Sequence, residues 1–354
     1  MASSPSSCCS RPPDADASPC RCSSGSLQHT VIRTTDSTIT FANRLDHFLA
    51  RWGINRMEHR VEPGLYRLGA PAMDSSVFAS ANYTLSFDAL RSALAGYNAY
   101  ILVLDTKGIN VWCAAGKGTF GTEELINRIK NTGLAGIVTH RKIIVPQLGA
   151  PGISSIDVQR RSGFKVEYGP VRARDIPGFL KTGTVTPDMR RVEFPVRDRI
   201  VLIPVELVHI ALPTIIIAII LWFLAGPVAA LAAIAAVVAG TVLFPVLLPL
   251  IPTKDFTTKG LILGGVGALP FAVAFASGTA LPGWAALTAT LTPLLIMPAV
   301  TAYLALNFTG ATTFTSRTGV RKEIFRYVPI ITIMAGTGVA LGIVLGVTRL
   351  LGMI

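Results

Sequence analysis

The chain has 354 residues, of which 51% are hydrophobic, and its mean hydropathy is +0.53. These values exclude an ordinary soluble globular protein. The formal net charge of +12 does not indicate nucleic-acid binding, because the sequence contains no DNA- or RNA-binding motif and positive charge also marks the cytoplasmic flanks of membrane segments.

The charged residues are distributed unevenly along the chain. Residues 1–199 contain 25 Lys/Arg and 17 Asp/Glu, whereas the remaining 155 residues contain seven basic and three acidic side chains. This composition predicts a soluble part followed by a membrane part. We expect four regions: a disordered tail at 1–28, a cytoplasmic α/β domain at 29–189, a basic linker at 190–204 and a five-helix transmembrane domain at 205–354.

The first 28 residues are rich in Ser, Pro and Cys and lack the apolar core of a cleavable signal peptide, which is therefore not expected. Such a composition cannot bury a core and predicts disorder. Four cysteines lie in this tail: Cys8, Cys9, Cys20 and Cys22. An unstructured free-thiol tail and a capture site for soft metal ions both fit them, whereas their spacing does not match a zinc or iron–sulfur site.

Strand and helix patterns alternate in the soluble part. The continuous apolar run YNAYILVL at 97–104 predicts a strand buried on both faces. The segment GTEELINRIKNTG predicts a helix with Thr122 as its N-cap and Gly133 as its end. This alternation predicts an open α/β sheet, in which ligands bind at the carboxyl ends of the strands. The other predicted elements are strands at 29–41, 142–147 and 164–169 and helices at 87–97 and 154–163.

Five apolar segments follow, each long enough to cross a hydrocarbon core of about 30 Å. The linkers after the second and fourth segments hold six basic residues, and those after the first and third hold none. The positive-inside rule then predicts a multi-pass protein of the cytoplasmic (inner) membrane, with the α/β domain in the cytoplasm and the C-terminus outside. The predicted segments are 205–225, 228–251, 260–280, 284–306 and 327–351.

Glu206 and His209 form a strongly polar pair one helical turn apart in the first predicted membrane segment. Ionisable residues inside a membrane are functional by default. This pair, however, lies near the expected cytoplasmic headgroups, where polar side chains are tolerated. Both interpretations stay open.

The segment NVWCAAGKGTFGT at 110–122 contains Cys113, which is far from every other cysteine. Its G-x-G-x-x-G run does not directly follow the predicted strand and lacks the acidic partner of a dinucleotide site. A Walker A loop is excluded because Lys117 precedes Gly118 instead of Ser or Thr. A nucleophilic cysteine would need a base. His140, at the end of a neighbouring predicted strand, could serve as that base, but no protease or amidase signature surrounds Cys113. Inert packing is a further alternative.

The core N-V-W-C-A-A-G-K is followed by THRKIIVPQLGAPG, RSGFKVEYGPVRARDIPGFL and VLIPVEL, in that order, ahead of the five apolar segments. This layout resembles the HgcA family, the membrane corrinoid proteins of microbial mercury methylation, over about residues 85–354. The α/β part is similar to the corrinoid domain of the corrinoid iron–sulfur protein of the acetyl-CoA pathway. The resemblance implies a Rossmann-like α/β corrinoid-binding domain followed by an all-α membrane domain of five transmembrane helices.

The resemblance also implies a site. Residues 110–117 would form a cap helix beneath a cobalamin-type corrinoid, with Cys113 as the catalytic residue and the lower axial ligand to cobalt. A thiolate donates electron density to the metal more strongly than imidazole does, which would favour methyl transfer to an electrophile such as Hg(II). His140, Gln147 and Ala150 are placed at neighbouring strand ends. The implied cofactor-binding residues are Asn110, Val111, Trp112, Cys113, Ala114, Ala115, Gly116, Lys117, Gly118, Thr119 and His140.

The implied activity is that of a mercury methyltransferase of anaerobic metabolism, in which a methyl–Co(III) corrinoid transfers its methyl group to Hg(II) to give methylmercury. The implied partners are a ferredoxin-like protein of the HgcB type, with two 4Fe–4S clusters, as reductant, and a folate- or corrinoid-linked methyltransferase as methyl donor. One alternative is a corrinoid methyl carrier of acetyl-CoA synthesis. Another is a non-enzymatic membrane sensor or transporter that binds a nucleotide through the glycine loop.

Overall fold

A computed structural model describes residues 31–277, 281–312 and 315–353. The tail expected at 1–28, with its four cysteines, lies outside the described residues. Within the described part of the chain, a six-stranded sheet with its helices comes first, and a region of long apolar helices follows.

The sheet contains two strands that the sequence patterns did not predict, β2 and β3. Both are short, and β3 (VFASA) consists largely of small residues, so neither shows a strong strand pattern. The strands are β1 (Ile32–Thr35), β2 (Gly64–Leu68), β3 (Val77–Ala81), β4 (Ala99–Leu104), β5 (Lys142–Val145) and β6 (Lys165–Tyr168).

The strand order is β1-β2-β4-β3-β5-β6, and β3, β4, β5 and β6 run parallel. The expected open α/β sheet is present, but it is mixed, because β2 runs antiparallel to β4 and parallel to β1. From β3 the chain first proceeds to β4 on one side and later to β5 on the other side. This reversal opens a crevice between the carboxyl ends of β3 and β5, the position at which α/β sheets bind ligands.

Eight α-helices accompany the sheet in the described part of the chain, ahead of the helix in the linker. Their bounds are α1 (Phe41–Arg51), α2 (Thr84–Ala93), α3 (Val111–Lys117), α4 (Thr122–Asn131), α5 (Leu134–Ile137), α6 (Ser155–Ser162), α7 (Ile176–Thr182) and α8 (Pro187–Arg190). The linker itself contains the short helix α9 (Val196–Ile200).

Separate apolar cores cover the two faces of the sheet. Along β4, Leu102 and Leu104 join the core beneath α3, α4 and α6, whereas Ile101 and Val103 join the core beneath α2 and α7. Every residue of β4 is buried. This confirms the predicted strand enclosed on both faces, although it begins at Ala99, two residues after the start of the predicted run at 97–104.

The helices of the second region are α10 (Ile203–Ala225), α11 (Pro227–Val238), α12 (Phe244–Leu247), α13 (Phe256–Ser277), α14 (Gly283–Phe308) and α15 (Arg317–Leu350). A π-helical turn, Ala239–Leu243, joins α11 to α12. In the described residues, five continuous helical segments are long and apolar enough to cross a membrane. The fifth predicted segment, 327–351, falls within α15, which begins ten residues earlier because its first turns are charged and helical but not apolar.

Polar contacts bring the charged linkers to one end of the helices. The buried Arg199 of α9 donates from Nη1 to the carbonyl oxygens of Pro245 and Val246, at 2.9 and 3.1 Å. At the start of α13, Glu323 of α15 accepts hydrogen bonds from the backbone N–H and the hydroxyl of Thr257, at 2.6 and 2.7 Å. The basic linker, the α12–α13 loop and the beginning of α15 therefore lie together.

Candidate functional site

The first half of the glycine-rich segment folds as a short helix, α3. Asn110 precedes it in an extended conformation, and its Oδ1 accepts a hydrogen bond from the backbone N–H of Cys113 at 2.8 Å. Gly118 ends the helix with a left-handed φ of +84°, which glycine adopts without a steric penalty. Because α3 follows β4, it lies at the carboxyl edge of the parallel strands.

The two faces of α3 have different surroundings. Ala114 and Ala115 are buried in the core beneath the helix. Trp112 and Cys113 are half-buried, and Gly116 and Lys117, one turn further along, are exposed. Ala114 and Ala115 are among the cofactor-binding residues that the resemblance implies, and in the structure their side chains pack the helix onto the sheet. The free cysteine Cys113 lies on the outward face, one turn before Gly116, which has no side chain.

The loop between β4 and α3 is held by Asn82, which follows β3 and is 1% exposed. Its Oδ1 accepts hydrogen bonds from Thr106 Oγ1 at 2.8 Å and from the backbone N–H of Gly108 at 3.0 Å. Its Nδ2 donates to Asp105 at 3.2 Å. The sequence motifs did not indicate Asn82, although an asparagine directly after an apolar strand is a recognisable signal of a structured turn.

A 3₁₀ turn at Gln147–Gly152, which follows β5, packs against α3. A β-carbon on Gly152 would overlap the carbonyl oxygen of Phe120 and lie 3.1 Å from the Cα of Ala115. A β-carbon on Gly121 would lie 2.6 Å from the carbonyl oxygen of Gly118. These glycines therefore allow the backbone to pack against itself. This packing explains the glycine run without a bound nucleotide.

Thr122, the predicted N-cap of α4, bonds to the segment that follows the 3₁₀ turn. Gly121 occupies the N-cap position instead, and α4 ends at Asn131, one residue before the C-cap Thr132. The hydroxyl of Thr122 accepts a hydrogen bond from the backbone N–H of Ser154 at 2.9 Å. It is therefore engaged in joining the start of α4 to the segment after β5.

A cavity of about 320 Å³ opens beside the start of α3. It lies between β3, α2 and the segments that follow β5 and β6, which is the crevice that the strand order predicts. Its walls are mainly apolar. Residues that define its sides include Ser80, Ser86, Asn110, Trp112 and Leu148.

His140 is not brought near Cys113. It precedes β5, so it lies at the amino edge of the parallel strands, whereas Cys113 follows β4 at the carboxyl edge. One ring nitrogen, Nε2, is 2.9 Å from the carbonyl oxygen of Ser75, and Nδ1 accepts a hydrogen bond from the backbone N–H of Lys142 at 3.2 Å. Its predicted place in the pocket was wrong, because the sequence predicted the strand but not the edge at which the histidine would lie.

Gln147 and Ala150 do lie at the carboxyl edge, in the 3₁₀ turn that supports α3. The side-chain oxygen of Gln147 accepts a hydrogen bond from Arg190 at 2.9 Å. Gln147 therefore connects the turn that supports α3 to the end of α8.

Tyr83, the residue after Asn82, precedes α2 at this edge, and the sequence motifs did not indicate it. Burial raises the pKa of the Tyr83 phenol, whereas the positive charges of Arg56 and Arg51 lower it. The negative charge of a Cys113 thiolate adds to the increase. The pKa of Tyr83 is raised overall, and burial is the main cause.

The described part of the α/β region resembles proteins of acetyl-CoA metabolism. Residues 54–180 match the family profile of the CO dehydrogenase/acetyl-CoA synthase delta subunit. The acetyl-CoA decarbonylase/synthase complex subunit gamma of Methanopyrus kandleri is 32% identical over 128 residues, which are 36% of this chain and 27% of the relative. The corresponding subunit of Archaeoglobus fulgidus is 32% identical over 124 residues, 34% of this chain and 26% of the relative.

The chain thus spans about a quarter of the length of these curated relatives. The matched region contains α3 and the cavity, but neither α1 nor the long apolar helices. The expected relation of the α/β part to the acetyl-CoA pathway is confirmed. The family match ends at residue 180, before the linker and the apolar helices.

Proposed function

We propose that the α/β region binds a corrinoid and takes part in methyl transfer, with Cys113 as the axial ligand to cobalt. The observation that carries this proposal is the outward placement of the Cys113 thiol on α3, at the carboxyl edge of the sheet. The similarity of residues 54–180 to subunits of acetyl-CoA decarbonylase/synthase complexes supports it.

The residues on α3 fit a flat macrocycle. Gly116 follows Cys113 by one turn on the exposed face and adds no side chain that would stand between the helix and a ring. Trp112 offers an aromatic surface at the mouth of the cavity, and Lys117 offers a positive charge one turn from the thiol. One thiolate suits a metal that brings its other ligands in a macrocycle.

A bound corrinoid would supply a transferable methyl group on cobalt. The protein would supply one axial ligand and hold it still: Asn110 caps the helix at the N–H of Cys113, and Asn82 fixes the preceding loop. A Cys113 thiolate that held the cobalt would donate electron density to it, which would favour release of a methyl group to an electrophile.

For the methyl acceptor we propose Hg(II), on the basis of the N-V-W-C-A-A-G-K motif and the five apolar helices behind it. The relatives favour a second candidate, a methyl carrier of an acetyl-CoA decarbonylase/synthase complex, because their names refer to such complexes. The apolar helices lie outside the matched region and therefore provide no argument for that second candidate.

We further propose that the five long apolar helices cross the cytoplasmic membrane, with the α/β region on the cytoplasmic side. A small ferredoxin-like protein with two 4Fe–4S clusters would deliver electrons to the site. A folate- or corrinoid-linked methyltransferase would deliver the methyl group. In the second candidate, the partners would be the other subunits of an acetyl-CoA decarbonylase/synthase complex.

The test uses the purified full-length protein, loaded with cobalamin, in wild-type form and as Cys113→Ala. We expect the wild type to show a visible spectrum with cobalt–thiolate absorption and the variant to lack it. Lys142→Ala, at the opposite edge of the sheet, is the control that should leave the spectrum unchanged. A wild type that binds no corrinoid, or a spectrum that survives Cys113→Ala, would sink the proposal.

The acceptor is decided by a second measurement on the same samples. Methylmercury formed from added Hg(II), and lost in Cys113→Ala, supports mercury methylation. Methyl delivery to an acetyl-CoA decarbonylase/synthase complex without any methylmercury supports the methyl carrier.

A further inference from the structure

The apolar side chains of α1 are exposed, whereas an ordinary surface helix turns its apolar face toward the core. Phe41 is 81% exposed, Leu45 48% and Phe48 52%. At about 100° per residue, these three side chains and that of Trp52 fall within about 60° of arc on one side of the helix. Phe48 and Trp52 also contact each other, with ring centroids 5.6 Å apart. We define Phe41, Leu45, Phe48 and Trp52 as the outer stripe.

The inward face of α1 is polar and firmly bonded. His47 Nε2 lies 2.7 Å from Asp88, and Asp46 lies 2.6 Å from His59 Nδ1. Asn43 accepts a hydrogen bond from Arg91 at 3.1 Å. These contacts fix the rotation of α1 about its axis, so the outer stripe cannot turn into the protein.

The chain after α1 touches the first membrane helix close to the point where that helix leaves the α/β region. A β-carbon on Gly53 would lie 3.1 Å from Cγ2 of Val205 and 3.5 Å from Cε1 of His209. Val205 and His209 belong to the first two turns of α10. This contact brings the end of α1 to the expected level of the lipid headgroups.

Positive charge accompanies the outer stripe. Arg44 and Arg51 are exposed and lie on one flank of it, and Arg56 and the exposed apolar residues Ile54 and Met57 follow in the next segment. Apolar side chains flanked by arginines are typical of helices that lie in the interface of a membrane with anionic lipids. Exposure of this much contiguous apolar surface would be unfavourable in water.

We propose that α1 lies in the interface of the cytoplasmic leaflet, with the outer stripe inserted among the lipid chains and the arginines at the phosphates. The inference rests on the proposed membrane insertion of α10. Its consequence is that the α/β region is held against the membrane at two places, α1 and the linker. The segment after α1 also contacts the loop ahead of α3, where a β-carbon on Gly108 would lie 3.2 Å from the carbonyl oxygen of Met57. The distance between the candidate site and the membrane surface would therefore be fixed.

The test places a photoreactive benzophenone side chain at single positions of the full-length protein in vesicles that contain phosphatidylglycerol. Position 48 probes the outer stripe. Position 223, in α10, reports membrane insertion itself, because Phe223 is 82% exposed on that helix. Position 156, in α6, is the matched control, since Ile156 is an apolar side chain that is 75% exposed but far along the sheet from α1.

After illumination, mass spectrometry counts lipid adducts at each position. We expect adducts at 48 and 223 and none above background at 156. Adducts at 223 but not at 48, or protein adducts at 48, would overturn the inference about α1 and leave the membrane domain in place. Absence of adducts at 223 would instead show that the proposed membrane insertion is wrong, and the inference with it.

The charge contribution is measured with Arg44→Gln/Arg51→Gln carrying the same probe at position 48. Loss of each interfacial arginine is expected to lower lipid contact by about fivefold where docking is not saturated, so the comparison uses vesicles with a low content of phosphatidylglycerol. An adduct yield equal to that of the parent protein would refute the role of the arginines.

Discussion

Asn110 caps α3 at the candidate site, since its side chain accepts a hydrogen bond from the backbone N–H of Cys113 at 2.8 Å. Asn110→Ala is expected to lower the free energy of unfolding by about 1 kcal/mol, the usual cost of losing an N-cap. Because the capped N–H belongs to Cys113 itself, we also expect weaker retention of a corrinoid. Urea unfolding and cobalamin titration of the full-length protein measure the two effects.

Ser154→Ala is the matched control, because Ser154 caps α6 in the same way, with a hydrogen bond of 3.3 Å from the N–H of Asp157. It should show a similar loss of stability and an unchanged affinity for cobalamin. If both variants lose affinity equally, the cap on α3 has no specific role in the site.

His59 predicts a pH dependence for the attachment of α1. Burial of the imidazole lowers the pKa of His59, but the hydrogen bonds to Asp46 and to the carbonyl oxygen of Ile54, together with the charges of Asp46 and Glu58, raise it overall above the ordinary 6.5. A folded-state pKa above the unfolded value stabilises the protein below pH 6.5, and this contribution is lost as the pH rises through the folded value. Hydrogen exchange in α1, corrected for the intrinsic rate at each pH, should therefore accelerate as the pH rises from 6.5 through the folded-state pKa of His59.

His59→Gln keeps a polar side chain but removes the titration. We expect its α1 exchange to change little with pH over the same range, at a level of protection no greater than that of the wild type at high pH. A variant with the same pH slope as the wild type would show that another group is responsible.

At the scale of elements, the contact between α3 and the turn after β5 depends on glycine. A methyl group on Gly152 would overlap the carbonyl oxygen of Phe120 and press on the backbone of Ala115. Gly152→Ala should therefore destabilise the protein by about 1–3 kcal/mol through overpacking and shift α3. Thermal unfolding measures the first effect, and the reaction rate of the Cys113 thiol with a maleimide measures the second.

Gly136 offers a control for this substitution. It lies in α5, and a β-carbon there would meet no atom within 4 Å. Gly136→Ala should leave both the unfolding temperature and the thiol reactivity close to wild type. If Gly152→Ala behaves in the same way, the close approach at α3 is not a packing constraint.

Local sequence patterns predicted the elements with unambiguous periodicity. The uninterrupted apolar run of β4 and the amphipathic pattern of α4 were both recognised, because each follows from burial on two faces or on one. The pattern of α1 was not recognised, although Phe41, Leu45, Phe48 and Trp52 recur at helical spacing. Its apolar face points away from the protein, so no packing partner in the chain indicated it.

For the whole molecule, we expect the α/β region and the basic loops on the cytoplasmic side. The contacts of Arg199 with the end of α12 and of Glu323 with the start of α13 already place the linker and these loops at one end of the helices. An epitope inserted at Lys254 should thus be inaccessible to antibody in sealed right-side-out vesicles, whereas epitopes at Gly226 and Gly352 should be accessible. Accessibility at Lys254 in intact vesicles would contradict this orientation.

Local composition was enough to predict the division into a polar α/β part and an apolar helical part, because hydropathy and strand–helix alternation are properties of local composition. The sequence also singled out Cys113 through a contiguous motif. Only the folded structure shows which residues lie at each edge of the sheet: Asn82 holds the loop ahead of α3, and His140 lies at the opposite edge. It also decided that Ala114 and Ala115 face the core. The reason is that strand order, strand direction and helix rotation are set by long-range packing, which a local pattern does not encode.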